Sequence, residues 1–162
     1  MGLSDTYTPN GLGMSPKADF KHAHITKALV KLIETVIDTE KYYVFSQEQI
    51  IPKELNSKVP DVVIYKRMTN SIYEDISVLF IEVEHSEGFK KTWKKLEKLM
   101  YLKNVTESFL INYETLEWHK YFDSDTITPK KQINSWSDFL KIDLNNYVKF
   151  LDKRLQKEMY KK

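Results

Sequence analysis

Apolar residues recur along the chain at two spacings, one typical of helices and the other typical of strands. A spacing of three to four residues predicts amphipathic helices in three segments, because it places the apolar side chains on one helix face. Pro16 suits the first position of the first helix, and Ser137 is the predicted cap of the last. The helices are predicted over residues 17–38, 86–103 and 137–159.

Runs rich in β-branched and aromatic residues predict five strands between these helices. The run over 78–85 is almost entirely apolar, as expected for a central strand that is buried on both faces. The sequence therefore predicts a mixed α/β (α+β) fold, with a central sheet of about five strands flanked by helices in the order α-β-β-β-α-β-β-α. The strands are predicted over residues 42–52, 61–65, 78–85, 107–113 and 116–122, and residues 123–135 are predicted to be loop.

Length and composition favour a single soluble domain. The chain has 162 residues, of which 41% are hydrophobic, and this suits one core. It has no cysteine, which excludes disulfides, and no apolar run of the roughly 20 residues that span a bilayer. We therefore expect a cytoplasmic protein without membrane contact. Residues 1–16 are predicted to form a flexible arm, 17–136 the core, and 137–162 a helix that packs on the core or at a homodimer interface.

A lysine-rich segment coincides with the second predicted helix. Residues 86–103 contain six lysines and two glutamates, although the net charge of the whole chain is only +2. Such a run is usually a solvated helix face. Because it directly follows a strand with two glutamates, Lys90, Lys91 and Lys94 are also candidates for contact with the phosphates of a nucleic acid.

Three carboxylates lie at or inside the predicted strands, where burial is costly without compensation. Asp61 follows a proline at the start of one strand. Glu82 and Glu84 are two residues apart in the next strand, so they project from the same face. Carboxylates at the ends of adjacent strands can hold Mg²⁺ or Mn²⁺ with one side open to a phosphate. The alternative is a buried polar ladder, in which the glutamates pair with Lys66, Arg67 or lysines of the following helix.

The order of these residues resembles that of the PD-(D/E)xK superfamily, whose members share the restriction-endonuclease-like fold. The chain looks most like small bacterial endonuclease-like proteins of the Uma type, and the resemblance covers roughly residues 20–120. It depends on a histidine at an apolar helix, polar residues on the first strand, Pro-Asp-Val-Val, Glu-Val, and a lysine with a tyrosine in the next helix. The matching residues are His22 or His24 with Ile25 and Leu29, Gln47-Glu48-Gln49, Pro60-Asp61-Val62-Val63, Glu82-Val83, and Lys95 or Lys98 with Tyr101.

The resemblance implies a site for phosphodiester hydrolysis. Asp61 and Glu82 would be the metal ligands, and Glu84 stands where the superfamily usually has lysine. Either Glu84 assists the attacking water, or a lysine of the following helix, Lys95 or Lys98, takes that role. A further acidic or polar group is expected from the first helix or the first strand, where the available residues are Glu34, Glu48 and Gln49.

The two histidines of the first helix are interpreted as surface or boundary residues rather than metal ligands. His22 and His24 are two residues apart and therefore lie on different helix faces. Helical ligand pairs are normally four residues apart. This spacing argues against joint metal binding by the pair.

The predicted function is hydrolysis of nucleic acid by a divalent-metal-dependent endonuclease, with DNA favoured over RNA. The first alternative is an inactive nucleic-acid-binding module on the same fold, which the lysines would serve without catalysis. The second is a protein-interaction module that uses the helix over 137–159. The sequence has no glycine-rich phosphate loop and no Gly-x-Ser-x-Gly motif, which excludes nucleotide-hydrolase, dinucleotide-binding and serine-hydrolase interpretations.

Overall fold

The chain folds as a mixed sheet with helices on both faces. A computed structural model describes residues 16–46, 60–68, 76–103, 105, 107–122 and 130–160. Within these ranges the helices are α1 (Pro16–Val36), α2 (Phe89–Lys103) and α3 (Leu144–Tyr160). The strands are β1 (Tyr42–Ser46), β2 (Val62–Lys66), β3 (Ile76–Glu84), β4 (Glu107–Asn112), β5 (Glu117–Phe122), β6 (Lys130–Ile133), β7 (Trp136–Ser137) and β8 (Ile142–Asp143).

The main sheet has six strands, and their spatial order is the same as their order along the chain, from β1 to β6. Among the paired strands of this sheet, only β3 and β4 are parallel to each other, and helix α2 connects them. The other neighbouring pairs of the main sheet are antiparallel. A parallel pair requires such a crossover, which is why the lysine-rich helix lies between two central strands in the sequence.

Two layers of apolar residues sandwich the sheet. The first core lies between the sheet and helices α1 and α3. The second, smaller core lies between the opposite face and α2. Side chains that alternate along β3 contribute to both cores, since Ile81 belongs to the first core and Phe80 to the second. Each fully buried Leu or Ile side chain stabilises the fold by about 1.5–3 kcal/mol. The predicted fold class is therefore confirmed.

The C-terminal quarter of the described chain differs from the prediction. Strand β6 lies within the segment that was expected to be loop, so the main sheet has six strands rather than about five. Ser137 does not cap a helix but belongs to β7, which pairs with β8 in a small two-stranded ribbon. Helix α3 begins only at Leu144. The chain turns before it, and Lys141 adopts a φ of 61° there.

A buried lysine explains why residue 137 is not helical. Lys120 of β5 is only 1% exposed, and its Nζ donates to the carbonyl of Trp136 at 2.9 Å and to Oδ2 of Asp138 at 2.7 Å. The same Nζ lies 3.1 Å from Oε1 of Glu107. Ser137 Oγ donates to the other oxygen of Glu107 at 2.7 Å. These contacts hold β7 against β4 and β5. The chain therefore becomes helical only at Leu144, although its apolar spacing predicts a helix from residue 137.

Helix α3 packs against the protein's own core. Leu144 and Val148 are fully buried in the first apolar layer, and α3 also contacts α1. None of the helices in the described ranges is long and apolar enough to cross a membrane. Residues 1–15 of the expected arm, the end of the first predicted strand over 47–52 and the connection over 69–75 lie outside the described residues.

Candidate active site

Asp61 and Glu82 meet where strands β2 and β3 run side by side. Val62 pairs with Ile81, so Asp61 and Glu82 are the next residues along the two antiparallel strands. The N–H of Asp61 donates to Oε1 of Glu82 at 3.1 Å, and the N–H of Val83 donates to Oδ2 of Asp61 at 2.8 Å. Both acids are buried, at 6% and 5% exposure. Each carboxylate is thus fixed by the other strand's backbone.

The electrostatics of this pair disfavour two negative charges. Burial raises the pKa of Glu82 well above its usual range, and the negative charge of Asp61 raises it further. The charge of Glu84 acts in the same direction, whereas the ammonium group of Lys95 lowers the pKa of Glu82. A cation next to the two carboxylates would relieve this repulsion, which is a general property of metal-binding acidic pairs.

His22 of α1 also lies at the site, as a half-buried boundary residue that contacts one of the acids. Its Nε2 lies 3.3 Å from Oδ2 of Asp61, and its ring packs edge-on against Tyr113 with ring centroids 6.0 Å apart. Burial alone would lower the pKa of His22, but the hydrogen bond and charge of Asp61, together with the charge of Glu84, raise it overall. The available signal was that His22 lies on the same helix face as the buried Ile25 and Leu29.

Lys95 reaches the acidic pair from helix α2. Its Nζ lies 3.6 Å from Oε1 of Glu82, and its side chain is 35% exposed, against 7% for that of Glu82. The ammonium group therefore lies between the buried carboxylate and solvent. Lys98, the other lysine proposed for this role, is exposed one turn further along the helix. The remaining predicted phosphate contacts, Lys90, Lys91 and Lys94, are exposed on the same helix.

Glu84 is engaged in holding the beginning of α2. Its Oε1 accepts a hydrogen bond from the N–H of His85 at 3.0 Å, and its Oε2 accepts one from the hydroxyl of Thr92 at 2.7 Å. A Cβ atom on Gly88 would lie 2.7 Å from the carboxyl carbon of Glu84, so the present position of this carboxylate depends on glycine at position 88. Both carboxylate oxygens of Glu84 therefore stabilise the turn before α2 and the first turn of that helix.

A second histidine lies beside Glu84. His85 Nε2 is 3.3 Å from Oε1 of Glu84, and its ring meets Tyr113 with centroids 6.5 Å apart. His22 and His85 thus both contact Tyr113, and each is paired with a different acid of the site. Sequence patterns do not indicate this arrangement, because Tyr113 follows directly after β4 and reaches both histidines only through the fold.

The additional acidic residue expected from the first helix is not at the site. Glu34 is exposed and lies twelve residues beyond His22, which corresponds to about 18 Å along a helix. The end of α1 that meets Asp61 instead carries His22. The position of Glu34 beside the apolar stripe contains no information on how far along the helix axis it lies. Glu48 and Gln49 lie outside the described residues.

The donor set suits a cation that prefers oxygen and retains water. Asp61 and Glu82 supply two buried carboxylates that are fixed side by side, and Mg²⁺ is commonly held by one or two carboxylates with waters and substrate phosphate. Within the described ranges, no group of three or more His, Asp or Glu side chains is arranged to hold a metal ion. The residues therefore fit an open site of two protein ligands rather than a closed metal cage.

A solved structure resembles this arrangement of helices and strands. It is from Anabaena variabilis ATCC 29413 and is described as "a putative nuclease belonging to DUF820". The superposition has a TM-score of 0.56 at 12% sequence identity and covers 81% of this chain and 82% of the other. That protein has the restriction-endonuclease-like fold, and the similarity confirms the same fold for this chain. No protein-family model and no curated protein sequence matches the chain.

Proposed function

We propose that the protein is a divalent-metal-dependent nuclease that hydrolyses phosphodiester bonds, with DNA preferred over RNA. The observation that carries the proposal is the buried Asp61–Glu82 pair with Lys95 beside it, on a fold shared with a protein described as a nuclease. Buried acids with a strongly raised pKa and a nearby cationic side chain are typical of functional sites.

Asp61 and Glu82 would hold Mg²⁺ or Mn²⁺. When bound, the ion supplies Lewis-acid activation of the phosphoryl group and makes a bound water more acidic. The two carboxylates would present fixed oxygens to that cation, because the backbone N–H groups of Val83 and Asp61 hold one oxygen of each. The hydrogen bond from His22 to Asp61 further restricts the orientation of the aspartate.

Lys95 would take the role that the superfamily usually assigns to a lysine at the position of Glu84. Its ammonium group is close to Glu82 and partly exposed, so it could donate a hydrogen bond to the attacking water or to a phosphoryl oxygen that gains negative charge in the transition state. Glu84 would act as a positioning residue, since it anchors the first turn of α2 through Thr92 and that helix carries Lys95. With these roles, Glu84 does not need to act as a base.

The exposed lysines of α2 would contact the backbone of the substrate. Lys90, Lys91 and Lys94 share the helix that carries Lys95, so phosphates on either side of the cleaved bond would meet positive charge. Such contacts are independent of sequence and weaken as salt rises. We therefore expect binding to be salt-sensitive, and we expect recognition of particular bases to require other residues.

The decisive experiment is a cleavage assay with labelled DNA and RNA in Mg²⁺ and in Mn²⁺. Asp61→Ala and Glu82→Ala are expected to abolish cleavage, and Lys95→Met is expected to lower its rate by about 100-fold, the usual effect of removing one transition-state donor. The matched controls are Glu34→Gln and Lys31→Met, which change exposed residues of α1. Cleavage that survives both alanine substitutions would contradict the proposal.

An inactive nucleic-acid-binding module is the second candidate, and the bonds of Glu84 favour it. Glu84 stands at the superfamily's usual lysine position, and both of its carboxylate oxygens accept hydrogen bonds, one from the N–H of His85 and one from the hydroxyl of Thr92. In that case the wild-type protein would bind nucleic acid in a salt-dependent manner and would cleave neither DNA nor RNA. The protein-interaction alternative is weakened, because α3 buries Leu144 and Val148 in the protein's own core.

A further inference from the structure

Three aromatic side chains form a cluster on strands β1 and β2. Tyr43 and Phe45 have ring centroids 4.9 Å apart, and Tyr43 stacks on Tyr65 at 5.2 Å with an interplanar angle of 22°. Phe45 also meets Tyr65 at 6.4 Å. The guanidinium carbon of Arg67 lies 4.8 Å from the centroid of the Tyr43 ring. We call these four residues the aromatic platform.

The aromatic platform lies on the face of the sheet from which Glu82 projects. Side chains alternate along β2, so Tyr65 projects from the same face as Val63. Val63 pairs with Phe80, which shares a face of β3 with Glu82. Phe45 pairs with Val63 on the neighbouring strand. From strand dimensions, the backbones of Phe45 and Asp61 are about 8 Å apart. The platform and the acidic pair are therefore neighbours on one continuous surface.

The platform is partly open to solvent, whereas the opposite side of the same strands is covered. Tyr43, Phe45 and Tyr65 are each partly exposed. Helix α2 packs mainly over β3 and β4, beyond the acidic pair. On the other face, Tyr42 packs edge-on against Phe139 in the first core. The acidic pair thus lies between the aromatic platform on one side and the lysine-bearing helix on the other.

We propose that the aromatic platform binds unpaired bases, so that the preferred substrate is single-stranded nucleic acid or a single-stranded end. This inference rests on the proposed function and names its substrate class. Aromatic faces stack on bases of any sequence, but only when those bases are splayed out rather than stacked inside a duplex. Arg67 adds positive charge at the platform, and the lysines of α2 add it beyond the site. A strand that stacks on Phe45 would then pass over Asp61 and Glu82.

The test measures binding without cleavage. Fluorescence anisotropy in EDTA compares a labelled single-stranded oligothymidylate with a labelled blunt duplex of mixed sequence. Phe45→Leu keeps an apolar strand residue but removes the ring, and it is expected to weaken single-strand binding by about 5- to 100-fold, the effect of losing one base stack. Duplex binding is expected to stay unchanged. Phe45→Tyr is expected to retain single-strand binding, because it preserves the ring.

The matched control is Tyr42→Leu, which removes an aromatic ring from the same strand. The ring of Tyr42 packs in the first core, on the opposite face of the sheet. This substitution is expected to lower thermal stability without selective loss of single-strand binding. Three results would overturn the inference: no single-strand binding by the wild-type protein, unchanged single-strand binding in Phe45→Leu, or equal losses for single strand and duplex. Failure of the proposed function is distinct, since it would leave selective single-strand binding intact and show no cleavage in Mg²⁺ or Mn²⁺.

Discussion

Two clusters in this protein bury acids beside a lysine, and they differ in how completely the charges are matched. In the cluster around Lys120, the ammonium group contacts three oxygens, and Glu107 accepts from Ser137 Oγ and from the N–H of Asp138. In the cluster around Asp61 and Glu82, the lysine is 3.6 Å away and partly exposed, and burial raises the pKa of Glu82.

We assign a structural role to the first cluster and propose a functional role for the second. The lysine of the first cluster is 1% exposed, and its partners come from β4, β5 and the segment around β7, so it ties distant parts of the chain together. The second cluster lies at the junction of two strand ends with an incompletely neutralised carboxylate. A buried network with every group satisfied stabilises one conformation, whereas unmatched buried charge is retained where a ligand or ion supplies the missing partner.

The largest effect is expected from breaking the matched cluster. Lys120→Met keeps the apolar length of the side chain but leaves the buried carboxylate of Glu107 without its cation. Removal of one partner of a buried ion pair typically costs about 3–5 kcal/mol in the free energy of unfolding. Urea unfolding would measure this loss.

The control for this prediction is Asp138→Asn, because the side chain of Asp138 is 70% exposed. Its loss of stability is expected to stay below about 1 kcal/mol. Adding Glu107→Gln to Lys120→Met is expected to recover part of the stability, since the unpaired charge is then gone. A Lys120→Met protein as stable as the wild type would show that this network does not hold β7.

A smaller effect is expected from the turn before α2. Gly88→Ala places a methyl group about where the carboxyl group of Glu84 now lies, and such overpacking typically costs about 1–3 kcal/mol. Because Glu84 anchors the helix that carries Lys95, the cleavage rate is expected to fall as well. Thermal unfolding and the cleavage assay would measure the two effects, with Glu87→Ala, an exposed change in the same turn, as the control.

A double substitution tests whether the clash with Glu84 is the cause. In a Glu84→Ala background, Gly88→Ala is expected to cost little additional stability, because the carboxyl group is absent. Direct contacts of this kind produce non-additive changes in the free energy of unfolding. Additive effects of the two substitutions would mean that Gly88 is needed for the backbone rather than for the approach of Glu84.

The pairing of Asp61 with Glu82 could be anticipated because it depends on local information. Both lie on strands whose apolar character is strong, and an acid at a strand edge or in a buried strand stands out against its neighbours. The same holds for the crossover helix, whose lysines follow directly after β3. The sequence pattern therefore predicted which acids would be close, together with the order of most elements.

The contacts that the sequence did not predict all depend on tertiary structure. Lys120 has the charge of a solvent-facing residue, but the segment around β7 packs against it and contributes to its burial. The spacing of His22 from His24 does not indicate its partner Asp61, which lies on another element. The place of Glu84 in the motif does not indicate its hydrogen bonds, which come from the turn and helix that follow. Propensity and spacing contain no information on such partners.

The smallest expected change in the free energy of unfolding is the most specific for the cluster around Asp61 and Glu82. Substitutions in buried sites usually destabilise a protein, whereas this one is expected to stabilise it. Glu82 has a raised pKa in the folded protein, so the stability it allows is fully present below its unfolded pKa of about 4.3 and is lost as pH rises through the folded value. Glu82→Gln keeps the shape and an acceptor for the N–H of Asp61 but cannot ionise.

Without metal, Glu82→Gln is therefore expected to be more stable than the wild type at neutral pH and equal to it near pH 4. The lost attraction of Lys95 opposes this gain, so we expect the net gain to be smaller than the losses predicted for Lys120→Met and Gly88→Ala. Thermal unfolding at both pH values, with and without Mg²⁺, would measure it, with Glu34→Gln as the control. Added Mg²⁺ should raise the stability of the wild type and not of Glu82→Gln, because binding to the folded state alone stabilises it. A Glu82→Gln protein that is less stable at neutral pH in EDTA would show that Glu82 is already neutralised by its protein neighbours, as Lys120 is, and would assign both clusters to structure.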